Sequence, residues 1–211
     1  MFNPLCAFFG GFVAQEIVKA ITNKFSPTNQ LFYYDASEVL PDFDFVQDSK
    51  NFAEYVEKLN GKEISHRSDG MRICVGGDLV QKLSECRLFM VGAGAIGCEL
   101  LKNYAMCGIG TDKAKGKIVL TDPDIIEVSN LNRQFLFREK HLRTPKSTTA
   151  AAAATHMNKE LTGNIVARLD KVHEGTSHIF NDKFFEDMTI VTNALDNVKA
   201  RLYIDARCVT A

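Results

Sequence analysis

The sequence lacks an excess of charge of either sign, since 25 lysine and arginine residues nearly balance 26 aspartate and glutamate residues. Without a large field of one sign, a protein has little to hold nucleic acid or an anionic membrane, and neither is an expected partner. Internal repeats are also lacking. The length of 211 residues and the hydrophobic fraction of 45% indicate a globular protein of one or two domains with a sizeable core.

The sequence also lacks paired cysteines and a targeting signal. Its six cysteines form no CxxC motif, so we expect reduced thiols, no zinc site and a location in the cytosol or nucleus. The apolar N-terminal stretch has no basic flank of the kind a signal peptide carries. Gln15, Glu16 and Lys19 interrupt this stretch before the roughly 20 residues that a membrane span needs.

Residues 4–24 are instead expected to form a core helix, because apolar side chains recur at helical spacing and a Gly-Gly pair permits close packing. A strand-like run follows at 30–37. The acidic, weakly patterned stretch from 41 to about 69 contains one short amphipathic pattern near 52–59. This stretch is the best candidate for a linker.

Regular alternation of strands and helices begins at residue 87. The first elements form a βαβ unit: a strand at Arg87–Val91, a glycine turn, a helix at Ala95–Cys107 and a strand ending at Asp122. Such a unit predicts a parallel sheet. A helix with Ser147 as its N-cap is expected next. Two more strands, at 164–172 and 189–195, and a helix at 197–209 are expected after it. The pattern predicts an α/β fold with a Rossmann-like, doubly wound, mostly parallel sheet.

Gly92, Gly94 and Gly97 form a GxGxxG motif between a strand and a helix, a context typical of phosphate or nucleotide binding. Amides at the helix N-terminus and the helix dipole would attract phosphate. The motif by itself does not separate a nicotinamide cofactor from ATP. A glycine turn without a ligand is the structural alternative.

Acidic residues end two of the predicted strands. Asp122 lies 25 residues beyond Gly97, where such folds place an acid that binds ribose hydroxyls. The usual interval is about 20 residues, and the polar loop at 111–116 accounts for the excess. Asp124 could face the ligand or cap the turn. Asp196 could bind Mg²⁺ together with phosphate oxygens, cap the following helix, or do both.

The segment after Asp122 is rich in amides and cations, namely Asn132, Arg133, Gln134, Arg138 and, further on, Lys146. A pyrophosphate is usually held by backbone amides, whereas a triphosphate under attack needs cations that neutralise developing charge. This difference favours ATP over a nicotinamide cofactor. Arg138 or Lys146 taken alone is better explained as a solvated surface charge.

Four segments together resemble the second, active adenylation domain of ubiquitin-activating enzymes, in the same order and with similar spacing: GAGAIGCELLKNYA, TDPDIIEVSNLNRQFLFR, PKSTTAAAAA and NALDNVKAR. The N-terminal segment FFGGFVAQEIVKAITNKFSPTNQLFYYDASEVLP is similar to the end of the first, inactive adenylation domain. The resemblance implies a single-chain activator with a ThiF-like fold that is incomplete at both ends. Residues 1–40 would end the inactive domain, 41–84 would be a linker with a leading helix, and 85–211 would begin the active domain.

The resemblance also implies an ATP site whose contacts are Ala95, Asp122, Arg133, Lys146, Asp196 and Asn197, with Asn132 and Gln134 as secondary contacts. Asp122 would hold the ribose, and Asp196 would hold Mg²⁺. Arg133 and Lys146 would hold the phosphates, and these two residues with Asp196 are the expected catalytic residues. At 67–71 the sequence RSDGM departs from the basic-Tyr-Asp-any-Gln run of the family.

The implied activity is ATP-dependent adenylation of the C-terminal carboxylate of ubiquitin or a close ubiquitin-like protein. Thioester transfer would follow on a catalytic cysteine outside this chain, and ubiquitin-conjugating enzymes would be partners of the full-length protein. Cys98 is expected to be a packing residue, because free cysteines usually behave as small buried hydrophobes. A nicotinamide-dependent dehydrogenase and a non-catalytic, truncated nucleotide-binding scaffold are the alternatives.

Overall fold

The computed structural model describes residues 3–29, 31–35 and 66–211, which divide into two compact units, Met1–Val80 and Gln81–Ala211. Most of the expected linker, including the amphipathic pattern at 52–59, lies outside the described residues. The helices are α1 (Asn3–Thr22), α2 (Asp69–Val75), α3 (Gly77–Glu85), α4 (Ala95–Cys107), α5 (Lys146–Met157), α6 (Asp182–Glu186) and α7 (Val198–Thr210). The strands are β1 (Arg87–Val91), β2 (Lys117–Thr121), β3 (Ile165–Arg168) and β4 (Ile190–Asn193).

Helix α1 forms as its periodicity predicts, but the prediction that it is a core helix is wrong for the described chain. Val13 and Ile17 are each 53% exposed, and Ile21 is 76% exposed. Helical spacing shows which side chains share a face, and it does not show what covers that face. Burial of a helix depends on other parts of a polypeptide, so the pattern of α1 alone could not decide it.

The strand expected at 30–37 is not formed by Leu31–Asp35, the part of it that the structure describes. Its aromatic side chains instead stack on α1. The ring centroids of Phe12 and Phe32 are 4.0 Å apart, and those of Phe8 and Tyr34 are 3.9 Å apart. A strand requires backbone hydrogen bonds to a neighbour, which composition alone does not supply.

The stretch Pro4–Thr22 within α1 has 19 residues and a mean hydropathy of 1.4, long and apolar enough to cross a membrane by length and composition alone. The expectation that its polar residues make it too short for this is therefore wrong. The core helix of a soluble protein or a signal sequence meets the same criterion, so the criterion alone is weak support for a span.

The four strands of the second unit form a sheet in the order β3-β2-β1-β4, and all neighbouring pairs are parallel. The parallel α/β prediction is confirmed. In the register, Val91 lies beside Thr121 on one side and Asn193 on the other. The ends of β1, β2 and β4 therefore meet at one carboxyl edge, the edge at which open α/β sheets bind ligands.

Helices cover both faces of this sheet, since alternate residues of β1 enter two different cores. Leu88 and Met90 pack in a cluster that includes residues of α4 and α5. Phe89 and Val91 pack in a second cluster with residues of α6 and α7. Because side chains along a strand alternate between faces, one buried strand organises both layers of the doubly wound fold.

The amino edge of the sheet is closed by the long polar loop before β2. The buried Asn164 side chain donates hydrogen bonds from its amide to the carbonyl oxygens of Gly110 (2.9 Å), Asp112 (2.6 Å) and Gly116 (3.0 Å). Lys113 donates from its ammonium to the carbonyl oxygens of Glu160 and Thr162, at 2.5 and 2.8 Å. The loop is therefore an ordered part of the fold.

The glycine turn between β1 and α4 depends on close backbone contacts. Gly92 has φ +102°, and a Cβ there would lie 2.7 Å from the Ala194 carbonyl oxygen. A Cβ on Gly97 would lie 2.3 Å from the Gly92 carbonyl oxygen, whereas a Cβ on Gly94 would have its nearest neighbour, Gln134 Nε2, at 4.0 Å. Gly97 is thus required for packing, and Gly94 is not.

We predict that Gly97→Ala lowers the free energy of unfolding by at least about 2 kcal/mol, because the added methyl forces backbone atoms apart. Gly94→Ala should lower the free energy of unfolding by less than about 1 kcal/mol, the usual scale for a substitution at an N-cap position. Urea unfolding followed by circular dichroism measures both values. Equal stability losses in the two variants would contradict this account of the turn.

Candidate functional site

The glycine turn, Asp122 and the N-terminus of α5 form one hydrogen-bonded cluster at the carboxyl edge. Asp122 follows β2 directly, and its carboxylate accepts hydrogen bonds from the backbone N–H of Ala93 (2.6 Å) and of Asp124 (2.9 Å). Ser147 donates from its hydroxyl to the Asp122 carbonyl oxygen at 3.3 Å. Asp122 therefore braces the glycine turn.

The Asp122 side chain lies in a strongly desolvated position, with only 6% of the residue exposed. Burial raises the pKa of its carboxyl group, while the Ala93 and Asp124 N–H groups and the Lys146 ammonium act in the opposite direction. Each carboxylate oxygen has one further lone pair, so a sugar hydroxyl could still donate to either of them. A ribose contact is chemically compatible with the bracing role.

Lys146, predicted from sequence as a phosphate contact, lies at the first position of α5. Its ammonium forms an ion pair with Asp124, with 2.9 Å between Nζ and Oδ2. Its backbone N–H also donates to the Asp124 carbonyl oxygen at 2.9 Å. The explanation of Lys146 as a solvated surface charge is wrong, because only 11% of its side chain is exposed. Asp124 does not cap the turn with its side chain, since Asp122 performs that function.

The expected N-cap role of Ser147 is wrong. Helix α5 begins two residues earlier than a Ser147 N-cap would place it, and Pro145 occupies the N-cap position. The fixed φ of proline suits the start of a helix, and Ser147 is consequently inside the first turn, fully buried. Its hydroxyl is directed to Asp122. Sequence reasoning missed this contact, for which the spacing of 25 residues offers no local signal.

The two arginines of the loop after β2 have different partners. Arg133 is exposed and donates to the Ser129 carbonyl oxygen (2.8 Å) and to Asn132 Oδ1 (3.2 Å). Arg138 donates to the carbonyl oxygens of Phe135 and Phe137 and so stabilises the loop itself. Both acceptors of Arg133 are uncharged, so its exposed guanidinium has no anionic partner among the described residues.

Gln134 is 3% exposed and lies against the glycine turn. The Gln134 side-chain oxygen Oε1 is buried and has no hydrogen-bond partner. Nε2 is the atom nearest to the open space beside Gly94. Buried polar atoms are normally paired, so this unpaired acceptor beside the glycine turn is consistent with a polar ligand that donates a hydrogen bond here.

Asp196 and Asn197, at the end of the β4 segment, have separate roles. Asn197 Oδ1 accepts from the Ala200 N–H at 3.2 Å and is the N-cap of α7. Asp196 is exposed and forms no hydrogen bond or ion pair with any residue in the described ranges. The alternative of Asp196 as the cap is therefore wrong, which leaves its carboxylate available to a cation.

The described residues contain no group of three or more His, Cys, Asp or Glu side chains that could hold a metal by themselves. A single exposed carboxylate nevertheless fits Mg²⁺, which is commonly held by one or two carboxylates together with substrate phosphates.

Ala95 begins α4 beside the turn, and its backbone belongs to the same helix N-terminus as Gly94. Sequence reasoning also missed Asn130, whose side chain accepts from the Glu127 N–H at 3.0 Å and shapes the loop.

Comparisons with curated proteins match nearly the whole chain. Ubiquitin-like modifier-activating enzyme 6 of Homo sapiens is 46% identical over 207 residues, 98% of this chain and 18% of that protein. Ubiquitin-activating enzyme E1 1 of Candida albicans is 48% identical over 204 residues, 96% of this chain and 19% of that protein. This chain thus spans about a fifth of the length of these relatives.

Among solved structures, the tRNA N6-threonylcarbamoyladenosine dehydratase of E. coli matches with a TM-score of 0.59 and 23% identity, over 68% of this chain and 55% of that chain. This likeness supports the fold. The model of the ThiF family matches residues 69–211, which include the glycine turn, the Asp122 cluster and Asp196. The chain therefore belongs to the ThiF family.

Proposed function

We propose that this chain carries part of an ATP site that adenylates the C-terminal carboxylate of ubiquitin or a close ubiquitin-like protein. The observation that carries the proposal is the Lys146 ammonium, which is nearly buried and acts electrostatically on Asp122, the residue that holds the glycine turn. A nicotinamide site has no need of such a cation, whereas polyphosphate transfer does. The names of the two curated relatives support the choice of substrate class.

In this proposal, Asp122 accepts a ribose hydroxyl, and the backbone of Gly94, Ala95 and Gly97 faces the phosphates at the start of α4. Lys146 and Arg133 neutralise phosphate charge. Asn132 and Gln134 donate from their amide groups, and Asn197 can donate from its free Nδ2 while its Oδ1 caps α7. Asp196 supplies the carboxylate for Mg²⁺, which when bound would neutralise further charge on the polyphosphate.

The reaction would join a carboxylate oxygen of the modifier's terminal glycine to the α-phosphorus of ATP, while the bond from that phosphorus to the bridging oxygen of pyrophosphate breaks. Negative charge accumulates on the departing pyrophosphate. Arg133 and Lys146 would oppose that charge, which is the usual catalytic use of fixed cations in phosphoryl chemistry. Ubiquitin-conjugating enzymes would receive the modifier from a longer protein of this kind.

The thioester step of that pathway requires a nucleophile other than Cys98. Cys98 is fully buried, and its thiol lies 3.6 Å from the Ala93 carbonyl oxygen. Burial raises the pKa of the Cys98 thiol to about 11. Since the thiolate is the reactive form, Cys98 combines poor access with a very small reactive fraction at neutral pH.

The nucleotide preference is the first test of the proposal. We predict that the chain binds MgATP at least about tenfold more tightly than NAD, a difference of about 1.4 kcal/mol, because NAD leaves Lys146 without a terminal phosphate. Calorimetric titration with each ligand measures the two affinities. Gly94→Ala should weaken MgATP binding without loss of fold, since its methyl enters the open space of the turn.

Tighter binding of NAD, or equal binding of both, would overturn the assignment. Isotope exchange between pyrophosphate and ATP that requires added ubiquitin then separates adenylation from simple nucleotide binding. A chain that binds MgATP but supports no exchange would be a nucleotide-binding scaffold.

The metal role of Asp196 is the second test. Asp196→Ala should weaken ATP binding by about tenfold or more with Mg²⁺ present and by less than about threefold in EDTA, because only the metal-bound form uses the carboxylate. Asp205→Ala, which removes an exposed acid from α7, is the matched control and should change neither affinity. Equal losses with and without Mg²⁺ would rule out a metal ligand at this position.

The thiol reactivities provide a third test. At pH 8 a thiol with a pKa of about 11 is only about 0.1% thiolate. Iodoacetamide should therefore label the exposed Cys6 and Cys74 long before Cys98, as read by peptide mass spectrometry. All six cysteines should react in urea, which controls for reagent quality. Early labelling of Cys98 in the folded chain would contradict the packing role.

A further inference from the structure

The ion pair between Lys146 and Asp124 joins a buried group to an exposed one. The Lys146 side chain is 11% exposed, whereas the Asp124 side chain is 65% exposed. The backbone hydrogen bond from Lys146 N–H to the Asp124 carbonyl oxygen keeps the two residues adjacent. The ammonium therefore has a fixed position, and its partner carboxylate faces solvent.

A buried ammonium needs an anionic partner, because an unpaired charge in a desolvated position is costly. Asp122 is close enough for its charge to be felt by Lys146. Both Asp122 oxygens, however, hold the backbone N–H groups of the two turns. The Asp124 carboxylate holds no backbone N–H group, since Lys146 is its only partner within the described ranges. Of the two acids, Asp124 is the one that can be displaced.

We propose that Asp124 is an internal counter-ion that competes with the ligand phosphate for Lys146, and that ligand binding exchanges one anion for the other. The inference rests on the proposed function, in which Lys146 contacts a phosphate. It gives Asp124 a role that opposes binding, where the sequence had suggested a ligand contact. The competitor assists release of pyrophosphate, because Lys146 regains its internal partner when the anion leaves.

Asp124→Asn separates this role from the other two that Asp124 could have. Asparagine keeps a side-chain oxygen that can accept from the ammonium, so the fold and the position of Lys146 are preserved while the competing charge is lost. If Asp124 is a competitor, the variant should bind anions more tightly than the wild type. If Asp124 contacts the ligand directly, the variant should bind more weakly, and if its role is structural, the affinity should not change.

The experiment is calorimetric titration of the 211-residue chain with inorganic pyrophosphate in EDTA at low ionic strength. Asp124→Asn should bind pyrophosphate about two- to fivefold more tightly than the wild type, the range expected for loss of a partly exposed ion pair. Asp124→Glu should restore wild-type affinity. In a Lys146→Gln background, Asp124→Asn should raise the affinity for pyrophosphate by less than about 1.5-fold, because the cation for which Asp124 and pyrophosphate compete is absent.

Asp187→Asn is the matched control, since it removes an exposed acid that pairs with Arg87 at the start of β1, at the other edge of the sheet. It should leave pyrophosphate affinity unchanged. Weaker or unchanged binding by Asp124→Asn would overturn the proposal, as would an equal gain in the Lys146→Gln background or absence of pyrophosphate binding by the wild type. If the pyrophosphate results hold but NAD binds as tightly as MgATP, the proposed function fails and the competition stands.

Discussion

Asp122 joins three parts of the candidate site, namely the two turns after β1 and β2 and the start of α5. One carboxylate oxygen holds the glycine turn after β1 through Ala93, and the other holds the turn after β2 through Asp124. Its carbonyl oxygen receives the Ser147 hydroxyl from the first turn of α5. Burial raises the pKa of Asp122, and two N–H donors and a nearby ammonium offset only part of that effect. The positions of the two turns therefore depend on one side chain, and the start of α5 is held by the backbone of the same residue.

The two edges of the sheet differ in how completely their polar groups are used. At the amino edge, Asn164 and Lys113 satisfy loop carbonyl groups, and Arg87 pairs with Asp187. At the carboxyl edge, the Gln134 oxygen has no donor, and Asp196 has no partner among the described residues. Folded proteins normally pair such groups. Both groups are acceptors, so they are a physical reason for placing at this edge a polar ligand that brings hydrogen-bond donors or a bound cation.

Local sequence patterns predicted elements well where one strong signal set each boundary. The strand Arg87–Val91 and the helix Ala95–Cys107 have the predicted bounds. A glycine follows the strand, and glycines cap both ends of the helix, so the positions of the turn and of the helix end are well specified. Helix caps were predicted less well. Ser147 and Asp196 each stand within two residues of another residue able to begin the helix, and Pro145 and Asn197 occupy the N-cap positions instead. A shift of one or two residues is decided by tertiary contacts.

The sequence by itself determined the βαβ unit, the glycine motif and an acid at the end of β2, because each follows from spacing within a short segment. Only the tertiary structure decided that Asp124 pairs with Lys146, that Asp122 braces the glycine turn, and that α1 is exposed. These properties join residues 22 to 29 positions apart or depend on what covers a helix. Parallel strands bring such distant residues to one edge through helical crossovers, and no periodicity within a segment specifies which side chains then meet.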